Sequence, residues 1–108
     1  KGDFLIDEIR TFAKNDQWEL IFDYHFGGYG KVTDELVLFM NEFHQNYQIL
    51  LDPIYTAKMV FGVMDLINKN YFPKNAKILM IHTGGIQGIQ GINNILKSKN
   101  RILINTNV

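Results

Sequence analysis

Apolar positions in this chain follow two rhythms, helical spacing and unbroken runs, and their alternation predicts its elements. From Asp3 to Lys14, residues Phe4, Leu5, Ile9 and Phe12 form one helical stripe, with Asp3 placed to cap the start. Asn15-Asp16 breaks that pattern. Gln17 to Tyr24 then reads as a short strand, with Trp18, Leu20 and Phe22 on one face. A glycine-rich loop follows, His25-Phe26-Gly27-Gly28-Tyr29-Gly30-Lys31. Thr33 is the expected N-cap of a helix from Asp34 to Gln45, whose Leu36, Val37, Met40 and Phe43 form a stripe while Glu35 and Glu42 face away.

Ile49-Leu50-Leu51 is short and apolar, as a brief strand would be. Asp52-Pro53 carries a helix-start signal, with Asp as cap and Pro at the first helical position, and the helix is expected to run to Asn68. Its Met59, Val60, Phe61, Val63, Met64 and Leu66 cover more than one face, the mark of a helix buried on several sides. Pro73 closes the connection. Lys77 to His82 (KILMIH) is a continuous apolar run, as in an interior parallel strand. It passes directly into Thr83-Gly84-Gly85 and a helix from Ile86, and Arg101 to Asn105 is the last expected strand.

Helices alternating with short strands define an α/β class. Two or three strands are fewer than an open sheet normally holds. The expected architecture is therefore a single segment, 1–108, forming an incomplete three-layer fragment with a short, mostly parallel sheet flanked by helices. So small a sheet cannot cover the apolar helix alone, so self-association or a larger surrounding fold is expected to cover it.

Composition narrows the functional classes. Hydrophobic residues make up 46% of the 108, enough to build a core rather than a disordered tail. Lys plus Arg and Asp plus Glu both number 11, so no net charge marks a nucleic-acid or anionic-membrane partner. There is no cysteine, hence no disulfide framework and no thiolate metal site. No stretch approaches the run of about 18 apolar residues that a membrane span needs. The chain begins Lys1-Gly2-Asp3, with neither a signal-peptide pattern nor an initiator Met. A cytoplasmic protein is the expectation, and the missing Met allows that the chain was cut from something longer as readily as it allows simple Met removal.

Chemistry concentrates in three segments, 26–31, 51–58 and 81–88, each at a turn or helix start, and each offering hydroxyls or flexible backbone rather than charge. The Thr83-Gly84-Gly85 turn serves either ligand contact or tight strand–helix packing, since glycines permit both. Tyr55 reads as core packing or a site aromatic, and Thr56 as a local cap or a site hydroxyl. Tyr29, between glycines, is a loop aromatic. His82 reads as a satisfied core histidine. His25 and His44 fit no metal pattern, and no metal site is expected.

Taken in order, FGGYGKVTDE (26–35), LDPIYTAKMVFGVMDLI (51–67) and KILMIHTGGIQGIQGIN (77–93) resemble the C-terminal portion of the 1-aminocyclopropane-1-carboxylate deaminase/D-cysteine desulfhydrase family. These are fold type II enzymes dependent on pyridoxal 5'-phosphate (PLP), which implies part of a tryptophan-synthase-β-like fold. The combination of Asp52-Pro53-Ile54-Tyr55-Thr56 with the later His82-Thr83-Gly84-Gly85 carries the resemblance; neither motif alone would. The resemblance implies a small amino-acid substrate lined by the catalytic pair Tyr29 and Tyr55. It implies cofactor contacts from Thr56, Thr83 and Gly84 near the pyridine nitrogen, and a homodimeric parent.

Family members acting on the cyclopropane amino acid typically carry Glu where this chain has Thr56, and a non-hydroxyl residue where it has Thr83. Desulfhydrase-like members carry Thr at both, and this chain sides with them. A carboxylate beside the pyridine nitrogen favours its protonated form, whereas a neutral threonine only hydrogen-bonds. Ala57 stands where Gly is commoner. The family's Schiff-base lysine and phosphate loop have no counterpart here; Lys58 lies in the motif region but matches a different lysine. The chain alone is thus expected to bind no PLP covalently and to be inactive. Two other classes stay open: a standalone non-enzymatic α/β interaction module, and a flavodoxin-like nucleotide binder using the Thr83-Gly84-Gly85 turn.

Overall fold

The computed structural model describes residues 3–107. Lys1, Gly2, Val108 and the side chain of Asp3 lie outside the described residues, and with them the Asp3 cap expected above. Four α-helices follow one another: α1 (Asp3–Phe12), α2 (Asp34–Tyr47), α3 (Thr56–Asn68) and α4 (Ile89–Ser98), with a 3-10 turn at Ile86–Gly88 leading into α4.

The start of α2 is set by Thr33, which has extended backbone (ψ 162°) and a hydroxyl that accepts the Leu36 N–H at 3.2 Å. Asp34 and Glu35 add negative charge at the positive end of the helix dipole. Gln48, left-handed at φ 58°, ends the helix and returns its N–H to the His44 carbonyl. The apolar stripe read from the sequence packs inward: Leu36, Val37 and Met40 meet Ala57 and Val60 of α3, Ile89 and Leu96 of α4, and Leu51 and Ile104 of the connecting segments. Phe61 packs edge-on against Phe26 and Phe39, at ring-centroid distances of 4.8 and 5.1 Å. This ties the glycine-rich loop to α2 and α3. In α1, by contrast, Phe4 and Phe12 of the expected stripe are exposed.

The α/β expectation is corrected here: among the described residues there is no strand and no sheet. The segments 17–24, 49–51, 77–82 and 101–105 are irregular. The reason is that a strand's hydrogen bonds lie between segments, so an apolar run becomes one only where a second backbone runs alongside. In KILMIH, Leu79 is 85% and Ile81 65% exposed, the opposite of an interior strand. Residues 103–105 find side chains instead of a neighbouring strand. Asn93 exchanges two hydrogen bonds with the backbone of Ile104, and Asn41 bonds the Leu103 carbonyl and the Asn105 N–H. His44 Nδ1 lies 3.0 Å from the Asn105 carbonyl. These groups stand in for a partner strand, so Ile104 is buried without a ladder. Among the described residues, no helix is long and apolar enough to cross a membrane.

Candidate functional site

Asp52 organises the turn that leads into α3, so the helix begins at Thr56 and not at Pro53 as the Asp52-Pro53 signal predicts. Its Oδ1 accepts the N–H groups of Ile54 and Tyr55 at 2.8 and 2.9 Å, and its Oδ2 accepts the N–H and the hydroxyl of Thr56, both at 2.8 Å. The Thr56 hydroxyl in turn accepts the Asp52 N–H at 2.9 Å. Burial pushes the Asp52 carboxyl up, but the hydrogen bonds from Thr56, Tyr55 and Ile54 outweigh it and hold the group below the ordinary carboxylate value. The cap is therefore ionised and closed. It uses the N–H groups that a helix start would otherwise offer to an anion, and Thr56, 2% exposed, spends its single proton on Asp52.

Tyr55, next to this cap, is pushed outward. It is 61% exposed and faces Tyr29, 77% exposed, from the glycine-rich loop. The two rings lie 5.9 Å apart at 58°, and the Tyr55 hydroxyl points at that of Tyr29 across 3.4 Å. That separation is longer than a relaxed O–H···O bond, so the pair is poised rather than closed. The hydrogen bond to Tyr29, with desolvation and nearby negative charge, raises the Tyr55 phenol above its usual value. At neutral pH it is a protonated donor.

The Thr83-Gly84-Gly85 turn lies against the same cap. A methyl group built on Gly85 would meet Asp52 Cβ and Cγ at 3.3 Å, and the left-handed backbone of Gly84 and Gly85 (φ 90° and 86°) disfavours any side chain there. His82 fastens the turn. Its Nε2 lies 2.8 Å from the Leu50 carbonyl and its Nδ1 accepts the Gly84 N–H at 2.9 Å, which requires the neutral ring with the proton on Nε2. Thr83 is exposed, and the following 3-10 turn is capped at Gly85 with no side-chain hydrogen bond, so Thr83 does not serve as its cap.

The structure thus brings Tyr29 to Tyr55 and seats Gly85, which follows Thr83 and Gly84, against Asp52, while Thr56 is buried on the same carboxylate. Sequence reasoning missed three contributors. His82 is a turn fastener, not a core residue, and His25 repeats the device, its Nδ1 accepting the Gly27 N–H at 3.0 Å. A histidine two residues before a glycine was the available signal in both cases. The third is Lys58, buried, whose ammonium donates to the carbonyls of His25 and Gly28 at 3.0 and 3.1 Å. No local pattern announces it.

An apolar groove of about 1050 Å³ runs beside Tyr29, walled by Phe4, Leu5, Ile21, Phe22 and Met59. Tyr24, His25 and Lys58 also line it, so the groove is apolar with a polar edge on the side of the glycine-rich loop. Among the described residues, no cluster of His, Asp or Glu could hold a metal ion.

Comparison with known proteins agrees with the motifs. A Pyrococcus horikoshii protein provisionally named 1-aminocyclopropane-1-carboxylate deaminase is 44% identical over 68 residues, which is 63% of this chain and 20% of that protein. A Rhizobium rhizogenes 1-aminocyclopropane-1-carboxylate deaminase is 35% identical over 84 residues, 78% of this chain and 25% of the relative. One from a Bradyrhizobium species is 30% identical over the same shares. No family model and no solved structure matches. On these relationships the chain belongs to the 1-aminocyclopropane-1-carboxylate deaminase family, as a relative spanning a fifth to a quarter of the length of the proteins it matches.

Proposed function

We propose that these residues form the substrate-facing part of a PLP-dependent deaminase or desulfhydrase acting on a small amino acid, with D-cysteine favoured over the cyclopropane substrate. The observation that carries the reading is the meeting of the Tyr29 and Tyr55 hydroxyls at 3.4 Å, at a helix start whose Asp52 cap lies against Gly85. The desulfhydrase preference rests on the exposed Thr83 hydroxyl and on threonine, not a carboxylate, at 56.

The residues present fit one side of the cofactor. Thr83 presents an exposed hydroxyl that the following turn does not use as a cap, and the space beside Gly84 is open, with room for a flat ring. Thr83 and Gly84 would hold the pyridine edge, and Thr56 acts beneath them by completing the Asp52 cap that aims Tyr55. The lysine and the phosphate cradle are supplied from outside residues 1–108, and the chain alone is inactive. Lys58 is committed to two carbonyls. PLP, when bound, supplies an electron sink for bonds broken at the amino acid's Cα.

Tyr55 stays protonated and donates to the substrate carboxylate, while Tyr29 closes on the same group or moves a proton. A gap of 3.4 Å leaves the pair free to tighten when a ligand binds.

The test is made on the full-length gene product supplied with PLP. Ammonia and pyruvate release from D-cysteine is expected, falling by about two orders of magnitude or more in Tyr55→Phe if the hydroxyl takes part in proton transfer. Cofactor binding without turnover of either D-cysteine or the cyclopropane amino acid would reject the reading.

A further inference from the structure

Lys58 occupies an unfavourable place for a cation. It lies in the first turn of α3, where the helix dipole repels positive charge, and that turn contains no acidic residue. It is only 9% exposed, and burial pulls its amine below the ordinary lysine value, with the Asp52 charge offsetting part of that. What the ammonium gains is two carbonyls of a single loop.

Those carbonyls close two successive β-turns. In 25–28, Phe26 and Gly27 both have positive φ (55° and 96°), and the Gly28 N–H donates to the His25 carbonyl at 3.1 Å. In 28–31, Gly30 has φ 72° and the Lys31 N–H donates to the Gly28 carbonyl at 3.1 Å. Tyr29 rides on the second turn, between two glycines. A loop with this much backbone freedom holds a side chain poorly unless something fixes it. Lys58 bonds the same two carbonyls that the turn N–H groups use, His25 O at 3.0 Å and Gly28 O at 3.1 Å. Because Lys58 and Tyr55 both belong to the start of α3, the clamp sets the loop and the second tyrosine in one frame.

We propose that Lys58 is a positioning residue, its ammonium locking the paired turns of 25–31 so that the Tyr29 hydroxyl is presented to Tyr55. Its bearing on catalysis rests on the substrate-facing role given to that tyrosine pair; its geometry does not. Lys58 touches neither tyrosine hydroxyl, and it acts through the loop.

The test reads the pair directly. In the full-length gene product carrying fluorotyrosine, the Tyr29 fluorine resonance is recorded with and without Tyr55→Phe, in the presence of Lys58 and in Lys58→Met. Tyr55→Phe is expected to shift the Tyr29 signal when Lys58 is present and to leave it unmoved in Lys58→Met, a double-mutant cycle with a nonzero interaction. An equal shift in both backgrounds overturns the proposal, because a merely space-filling lysine would leave the pair intact. Where Lys58→Met does not fold, amine acetylation of the unmutated protein decides: Lys58 is expected to react at least about tenfold slower than the exposed Lys31 and Lys77. Equal labelling overturns the clamp. Turnover enters neither readout. A gene product that passes these tests yet consumes no amino acid rejects the deaminase reading and leaves Lys58 as the loop's anchor.

Discussion

Helix α3 and the segment 77–82 are both rich in large apolar residues, and they meet opposite fates. In α3, Ala57 and Val60 are buried, and Met59, Phe61 and Met64 are packed against the core. In 77–82, Ile78, Leu79 and Ile81 are exposed, and only Met80 reaches the core cluster. The difference is not hydrophobicity. A helix satisfies its backbone within its own sequence, so α3 needs only α2 beside it to bury a face. An extended segment leaves its N–H and C=O groups to a neighbour, and until one arrives its side chains have no surface to enter. Apolar content predicts a wish for burial, and the backbone decides who can grant it.

The sharpest way to break the comparison is to truncate one residue of the core that α3 packs into, on α2, and one of 77–82. Leu36→Ala, at a side chain with no exposure, is expected to destabilise by about 2–5 kcal/mol in denaturant unfolding. Leu79→Ala, at 85% exposure, is expected to stay within about 0.5 kcal/mol. Equal losses at the two positions would mean that 77–82 is buried after all.

Asp52→Asn comes next, because it strikes the cap that makes α3 independent. The amide nitrogen cannot accept from Thr56, which leaves a buried N–H and a buried hydroxyl short of a partner, at about 1–3 kcal/mol. The pH dependence has a definite sign. The folded carboxyl sits below its ordinary 3.8, so its stabilising contribution is complete above that value and disappears as pH falls through the lower folded one. Acid titration of unfolding in wild type and Asp52→Asn should converge at low pH; a constant gap would remove Asp52 as the cause.

A smaller effect tests the other helix start. Thr33→Ala removes the α2 cap and is expected to cost about 1 kcal/mol, read as a lowered melting midpoint. Smallest for folding is Thr83→Ala. Thr83 does not cap the turn that follows, so stability should move by less than about 0.5 kcal/mol. On the proposed function, turnover by the full-length gene product should fall several-fold, as for loss of one neutral hydrogen bond of about 0.5–1.5 kcal/mol. A lowered midpoint with unchanged kcat would make Thr83 a structural residue.

The candidate site's local geometry was legible where hydrogen bonds are local. Tyr29, Tyr55, Thr83 and Gly84 stand at turns and a helix start whose motifs name them, and the structure places the two tyrosines together. Thr56 was equally visible as a hydroxyl, but its engagement with Asp52 needed coordinates, because a threonine in a helix's first turn serves a cap and a ligand equally well in sequence. Lys58 was read as an unremarkable family lysine. Its partners are the carbonyls of His25 and Gly28, far away in the chain, and main-chain carbonyls leave no mark in a sequence.

By itself, the sequence determined the features whose hydrogen bonds close within a few residues: the Thr33 start of α2, the Asp52 turn that leads into α3, the glycine turns at 27–30 and 84–85, and the family to which their order belongs. Only the tertiary structure decided whether the apolar runs at 17–24, 77–82 and 101–105 would be strands, and it made none of them so. Helix caps and tight turns are satisfied by neighbours along the chain, whereas a strand, like the clamp at Lys58, is completed by backbone that sequence proximity does not supply.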